Sequence, residues 1–126
     1  MFRFERLSVW QKSVDFADLV YRTTAVFPSS EKYGLTSQLK RAAASISGNI
    51  AEGSSRTSDR DFSRFIEMAY GSLCETVSHA SLACRERFIS EEQRRQLYEA
   101  AEELARMLSA FRTSLGKWKS LPDPET

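Results

Sequence analysis

The stretch from Leu35 to Gly53, LTSQLKRAAASISGNIAEG, most constrains what this chain can fold into. Leu39, Ala43, Ile46 and Ile50 recur at four-three-four spacing, which lines one face of an α-helix. Small residues surround that line: Ala42, Ala44, Ser45, Ser47 and Gly48. A helix with so many short side chains can approach a neighbour closely. Arg41, Asn49 and Glu52 punctuate it, and Gly53 is placed to stop it in the left-handed conformation.

The same period runs through the rest of the chain. Ser8 is the expected N-cap of a first helix, in which Trp10, Val14, Ala17, Tyr21 and Thr24 form the stripe, with Val20 and Phe27 beside it. Pro28 ends it, because the residue before a proline is pushed out of the helical region. Tyr33 and Leu35 are expected to plug the end of the core. A third helix opens at a Thr57 or Ser58 cap, with Asp59 and Asp61 complementing the dipole. Phe62, Ile66, Ala69, Leu73, Val77, Ala80 and Cys84 are its expected stripe. Ser90 and Gln93 form a capping box for a fourth, carrying Leu97, Ala101, Leu104, Leu108, Phe111 and Leu115. The spacing predicts helices over about 8–27, 36–52, 58–87 and 91–117, with a frayed tail at 121–126.

Only five Gly and three Pro interrupt 126 residues, and two of the Pro fall in the last five. Four amphipathic helices with short links imply an all-α, antiparallel, up-down-up-down four-helix bundle in a single domain, 1–126. Phe65, Tyr70, Leu82, Phe88, Phe2, Phe4 and Phe16 fall off the main stripes. Eight Phe are hard to hide in one small core, which argues for self-association; the alternative is that several of them cap the bundle ends. Gly71 lies inside the third helix, where it costs about 1 kcal/mol relative to Ala. An antiparallel pairing would set it against Ala42 to Ala44 and give the alanine run a packing role. By the same register Glu67 falls within a turn of Arg41, as an interhelical pair that fixes register.

Several chemistries are excluded or weakened. Cys74 and Cys84 would sit about 15 Å apart on one helix, too far for a disulfide. His79 is the one histidine, and with Glu75 it supplies two potential ligands; a carboxylate-bridged metal pair wants a second such motif. A surface or partly buried histidine is the preferred reading. Cys74 and His79 are five residues apart, on different faces, and nothing activates a thiolate. Gly48 to Gly53 lacks the spacing and lysine of a phosphate loop. No catalytic residue, cofactor or metal is expected. No run approaches about 18 apolar residues, so no membrane partner is expected, and the cytoplasm is the default location.

Formal net charge is +1, so no global field argues for an anionic partner. The distribution is more informative. The expected topology gathers Arg3, Arg6, Lys12, Arg56, Arg60, Arg64, Arg112, Lys117 and Lys119 at one end, against Glu5, Glu52, Asp59 and Asp61, with Asp123 and Glu125 on the tail. A basic end of this kind fits RNA or an RNA-associated protein; a solvated helix end is the competing reading.

A resemblance covers almost the whole chain. It is carried by Phe27-Pro28, Lys32-Tyr33-Gly34-Leu35-Thr36-Ser37-Gln38, Arg41-Ala42-Ala43, Ser45-Ile46-x-x-Asn49-Ile50-Ala51-Glu52-Gly53, Arg64-Phe65 and Gly71-Ser72-Leu73-x-Glu75. The chain resembles the bacterial 23S rRNA intervening-sequence proteins; Ser47-Gly48 stands where relatives often carry proline. The resemblance implies a four-helix bundle assembled as a ring-shaped homopentamer. It also implies kinship with the accessory variability determinant of diversity-generating retroelements, a bundle that partners a reverse transcriptase and nucleic acid. It carries over no catalytic residue.

Overall fold

The computed structural model describes the backbone of residues 1–120 and the side chains of residues 1–115. The expected tail at 121–126 lies outside the described residues, as do the side chains of Lys117 and Lys119. Four α-helices and no strand occur among the described residues: α1 Ser8–Thr24, α2 Leu35–Ser54, α3 Asp59–Arg85 and α4 Glu91–Ser120. Short 3-10 turns at Arg3–Arg6 and Ser29–Glu31 precede α1 and α2. Each helix packs on two others, α1 and α3 both on α2 and α4. This makes a four-helix bundle around one contiguous apolar core.

The buried lines follow the helical period, with two shifts. In α1 the core line is Val9, Ser13, Phe16, Val20 and Thr24, continuing to Phe27. The expected stripe through Trp10, Val14 and Tyr21 was one residue off, roughly 100° around the helix. Val14 and Tyr21 are 39% and 44% exposed, whereas Phe16 is 4% exposed. Ser13 and Thr24 tolerate burial because their hydroxyls donate to the Trp10 and Tyr21 carbonyls, at 2.6 and 3.1 Å. In α3 the strict four-three alternation persists, so Thr76 and Ala83 fill the core positions expected of Val77 and Cys84. Those two pack partly buried beside it. The α4 stripe holds, with Leu97, Ala101, Leu104, Leu108 and Leu115 buried. Phe111 is half-buried, its ring 5.3 Å from that of Phe62.

The helix ends separate side-chain caps from packing. Ser58 caps α3, accepting from the Asp61 amide at 3.1 Å. The Ser90–Gln93 box closes reciprocally at 2.9 and 3.1 Å. Ser8 is not the cap of α1; Leu7 holds that position without a side-chain bond. α1 stops at Thr24 rather than Phe27, because the chain tightens into a turn before Pro28, with Phe27 N–H donating to the Thr24 carbonyl at 3.0 Å. Phe27 turns inward against Phe88, 5.6 Å between centroids, so these phenylalanines do close the bundle end. Tyr33 does not join them: it is 89% exposed, while Leu35 is buried. Glu31 caps α2 instead, accepting from the Leu35 amide at 3.2 Å. α3 ends in a left-handed turn at Arg87 (φ 64°), closed by Phe88 N–H to the Ala83 carbonyl at 2.9 Å.

Neither Gly53 nor Gly71 plays its expected part. Gly53 does not terminate α2 in the left-handed region; no glycine has a positive φ among the described residues, and the helix runs on to Ser54. Gly53 is buried where α2 meets α3. A Cβ there would lie 2.7 Å from Phe65 Cβ and 2.8 Å from Phe62 Cδ1, so the close approach depends on glycine. Gly71 has no such role. It is exposed, and an added Cβ would meet nothing within 4 Å. It lies on the outward line Arg64, Met68, Gly71, Glu75, away from Ala42 to Ala44. The neighbouring Ser72 makes the contact at that level, its Oγ 3.0 Å from Ser45 Oγ.

Candidate functional site

Ser45 and Asn49 of α2 form a polar latch toward α3. Asn49 Nδ2 donates to the Ser45 carbonyl at 2.8 Å and to Ser45 Oγ at 3.0 Å. Ser45 meets Ser72 on α3, and Thr76 Oγ1 donates to the Ser72 carbonyl at 2.8 Å. Asn49 thus spends its amide on hydrogen bonds within α2. The Arg41–Glu67 pair does not form. Glu67 lies between Phe65 and Ser72 on α3, whereas Arg41 lies beyond Ser45, on the side away from Gly53. Their separation along the helices is too long for an ion pair. Glu67 instead pairs with Arg112 of α4, because the α3 face carrying Ser63, Glu67 and Tyr70 borders α4. Arg41 is exposed, with no carboxylate partner among the described residues.

The Arg3–Arg6 turn packs on α1 and α2. Arg3 donates to the Ser54 carbonyl at 3.4 Å, and its guanidinium stands 5.5 Å over the Phe62 ring. That joins the start of the chain to the end of α2 and the first turn of α3. The Phe62–Phe111 contact brings in the last part of α4, and with it Arg112. Arg3, Arg6, Arg56, Arg60, Arg64 and Arg112 thus occupy one end of the bundle.

Much of that charge is compensated. Arg56 meets Glu52 at 3.1 Å and stacks 4.7 Å over Phe65. Arg64 meets Asp61 at 3.7 Å, and Arg112 meets Glu67. Counting Glu5, Glu52, Asp59, Asp61 and Glu67 against the six arginines leaves one net positive charge among these residues. Lys12, expected there too, pairs with Glu103 at 3.1 Å. Arg6 and Arg60 have no carboxylate partner among the described residues; Arg6 Nε lies 3.3 Å from Met1 Sδ. The Arg56–Glu52, Arg64–Asp61 and Arg112–Glu67 pairs are solvent-exposed, and such pairs contribute about 0–1 kcal/mol.

Sequence reasoning missed an aromatic ladder beside these arginines. Phe2 stacks on Phe4 (5.8 Å, 16° between planes), and Phe4 tilts onto Trp10 at 4.9 Å. Phe2 itself is 71% exposed. The spacing Phe2-x-Phe4 was visible, but a helical stripe template has no place for a 3-10 turn.

The remaining chemistry is sparse. No group of three or more His, Cys, Asp or Glu converges among the described residues. His79 Nε2 lies 3.3 Å from Glu75 Oε1. Burial, with the adjacent Glu91 carboxylate, pushes the Cys84 thiol pKa up, which disfavours its thiolate. Open grooves of about 490 and 240 Å³ run along the α3–α4 seam, meeting at Tyr70. No helix among the described residues is long and apolar enough to cross a membrane.

Residues 5–110 match the family described as 23S rRNA-intervening sequence protein. The chain belongs to that family. Among solved structures, a protein with unknown function from the S23 ribosomal protein family of Bacteroides thetaiotaomicron is similar, with a TM-score of 0.73 at 24% identity. The match covers 82% of this chain and 97% of that one. At that identity the likeness concerns the fold. No curated protein matches. Within the 23S rRNA-intervening sequence protein match lie the serine–asparagine latch, the Gly53 contact and four of the six arginines, Arg6, Arg56, Arg60 and Arg64; Arg3 and Arg112 flank it.

Proposed function

We propose that this family member is a non-enzymatic, cytoplasmic, homo-oligomeric module that binds RNA, directly or through an RNA-associated protein, at its arginine-bearing end. The bundle is read as a single domain with up-down-up-down antiparallel helices. Contacts supporting that order include Ser45 with Ser72, Gly53 with Phe65, and Lys12 with Glu103. The pentamer is the assembly that the resemblance implies, and exposed Met68, Tyr70 and Leu82 supply apolar surface for it. One observation carries the binding reading: arginines from four separate segments lie toward one end, and Arg6 and Arg60 have no carboxylate partner among the described residues. A ring would multiply that end by its number of subunits.

A protein-interaction module without nucleic acid is the second reading, favoured by the open α3–α4 grooves and by the compensated charge at the arginine end. Size-exclusion chromatography with light scattering and the 260/280 absorbance ratio separates the two. The RNA reading predicts an oligomer that carries nucleic acid at low salt, and loss of that cargo in Arg6→Glu/Arg60→Glu. An oligomer that stays free of nucleic acid when RNA is supplied at low salt refutes it.

A further inference from the structure

We propose that the arginine end selects unpaired nucleic acid, stacking one base on the open face of Phe2 while Arg6 and Arg60 hold its phosphates. The inference rests on the RNA reading above and adds the class of strand. Phe2 tops the ladder of Phe4 and Trp10, so its inner face is backed by packed rings while 71% of the residue remains open to solvent. The ladder is held in place. Phe2 N–H donates to Glu5 Oε1 at 2.9 Å, Gln11 Nε2 donates to the Glu5 carbonyl at 2.8 Å, and Arg3 ties the turn to Ser54 and Phe62. A backed aromatic with an exposed face, next in the chain to a turn that carries Arg3 and Arg6, is the arrangement on which single strands stack. The charge pattern points the same way. The six arginines and five carboxylates placed there leave one net positive charge among them, so the described side chains of this end form no long cationic track of the kind that grips duplex backbone without regard to bases. A duplex keeps its base faces stacked inside and offers Phe2 little.

The test compares an unstructured single-stranded RNA of about twelve nucleotides with a duplex of equal length, by fluorescence anisotropy at low salt. Wild type should bind the single strand more tightly. Phe2→Ala should weaken single-strand binding roughly five- to one-hundred-fold, and leave duplex binding and the salt slope unchanged. Phe2→Trp should retain affinity, and a 2-aminopurine base should be quenched by wild type but not by Phe2→Ala. Phe2 is exposed, so its truncation leaves the core untouched. If single strand and duplex bind alike and Phe2→Ala changes neither, while Arg6→Glu/Arg60→Glu abolishes both, the stacking inference falls and the RNA reading stands. If neither strand binds at low salt, both fall.

Discussion

Replacing Gly53 with alanine tests whether close approach of α2 and α3 shapes this bundle. The added methyl would stand 2.7 Å from Phe65 Cβ and 2.8 Å from Phe62 Cδ1. A Cβ atom is fixed to its own backbone, and Phe62 is 1% exposed, so neither neighbour yields by a simple rotation. The helices must separate or Phe62 must leave its rotamer, and such overpacking costs about 1–3 kcal/mol. Alanine also gains up to about 1 kcal/mol over glycine in helix propensity, which obscures the packing term in one variant alone. Gly48 and Gly71 supply the controls. Both are helical and exposed, with nothing within 4 Å of an added Cβ, so Gly48→Ala and Gly71→Ala should gain propensity only. The difference between Gly53→Ala and these controls isolates the overpacking term. Urea unfolding followed by circular dichroism, at one fixed protein concentration, should separate the midpoints by about 1 M, with slopes of roughly 1–3 kcal/mol/M. Gly53→Ala as stable as the controls would refute the reasoning.

Three further outcomes follow from particular residues. Arg87 holds φ 64°, so Arg87→Gly should raise stability by about 0.5–1 kcal/mol, and Arg87→Ala should not; equal effects of the two in urea would exclude backbone strain there. Cys74 is exposed and Cys84 half-buried with a raised thiol pKa, so iodoacetamide at neutral pH should modify Cys74 first, as read by peptide mass spectrometry; the reverse order would contradict the burial assigned to Cys84. Hydrogen bonds from Arg95, with its charge, hold the Glu92 carboxyl below the usual range. The folded value lies below the unfolded one, so this contribution is present above about pH 4.3 and fades as pH falls through the folded value. Urea midpoints should therefore drop less on acidification in Glu92→Gln than in wild type, and superimposable profiles would refute the linkage.

The fold was legible because four segments repeat apolar residues at helical spacing with few breakers between them. The α2 and α4 lines, the Ser58 cap and the Ser90–Gln93 box stood in the sequence. What failed was rotation and register. α1 carries two adjacent apolar lines, and only packing decides that Phe16 goes in while Val14 and Tyr21 stay out. The pairing of α2 with α3 is set by Ser45 against Ser72 and by Gly53 against Phe65, contacts distant in sequence. Misjudging that register sent Glu67 to Arg41 instead of Arg112, and gave Gly71 the role of Gly53. The arginine end was expected as a grouping because the assumed helix order brings those segments together. Its partial neutralisation was not, since the Arg112–Glu67 pair depends on which face of α3 borders α4, and the aromatic ladder sits on a 3-10 turn.

The salt dependence of RNA affinity tests the central claim most directly. Binding of an unstructured single-stranded RNA is measured from about 50 to 200 mM salt for wild type and for Arg6→Ala/Arg60→Ala. The account predicts a linear fall of log affinity with log salt in wild type. The slope should be shallower in the double variant by roughly 0.7 for each phosphate contact removed, about 1.4 in all. Identical slopes, or affinity indifferent to salt, would mean that Arg6 and Arg60 hold no phosphate and that the arginine end is only a solvated end of the bundle.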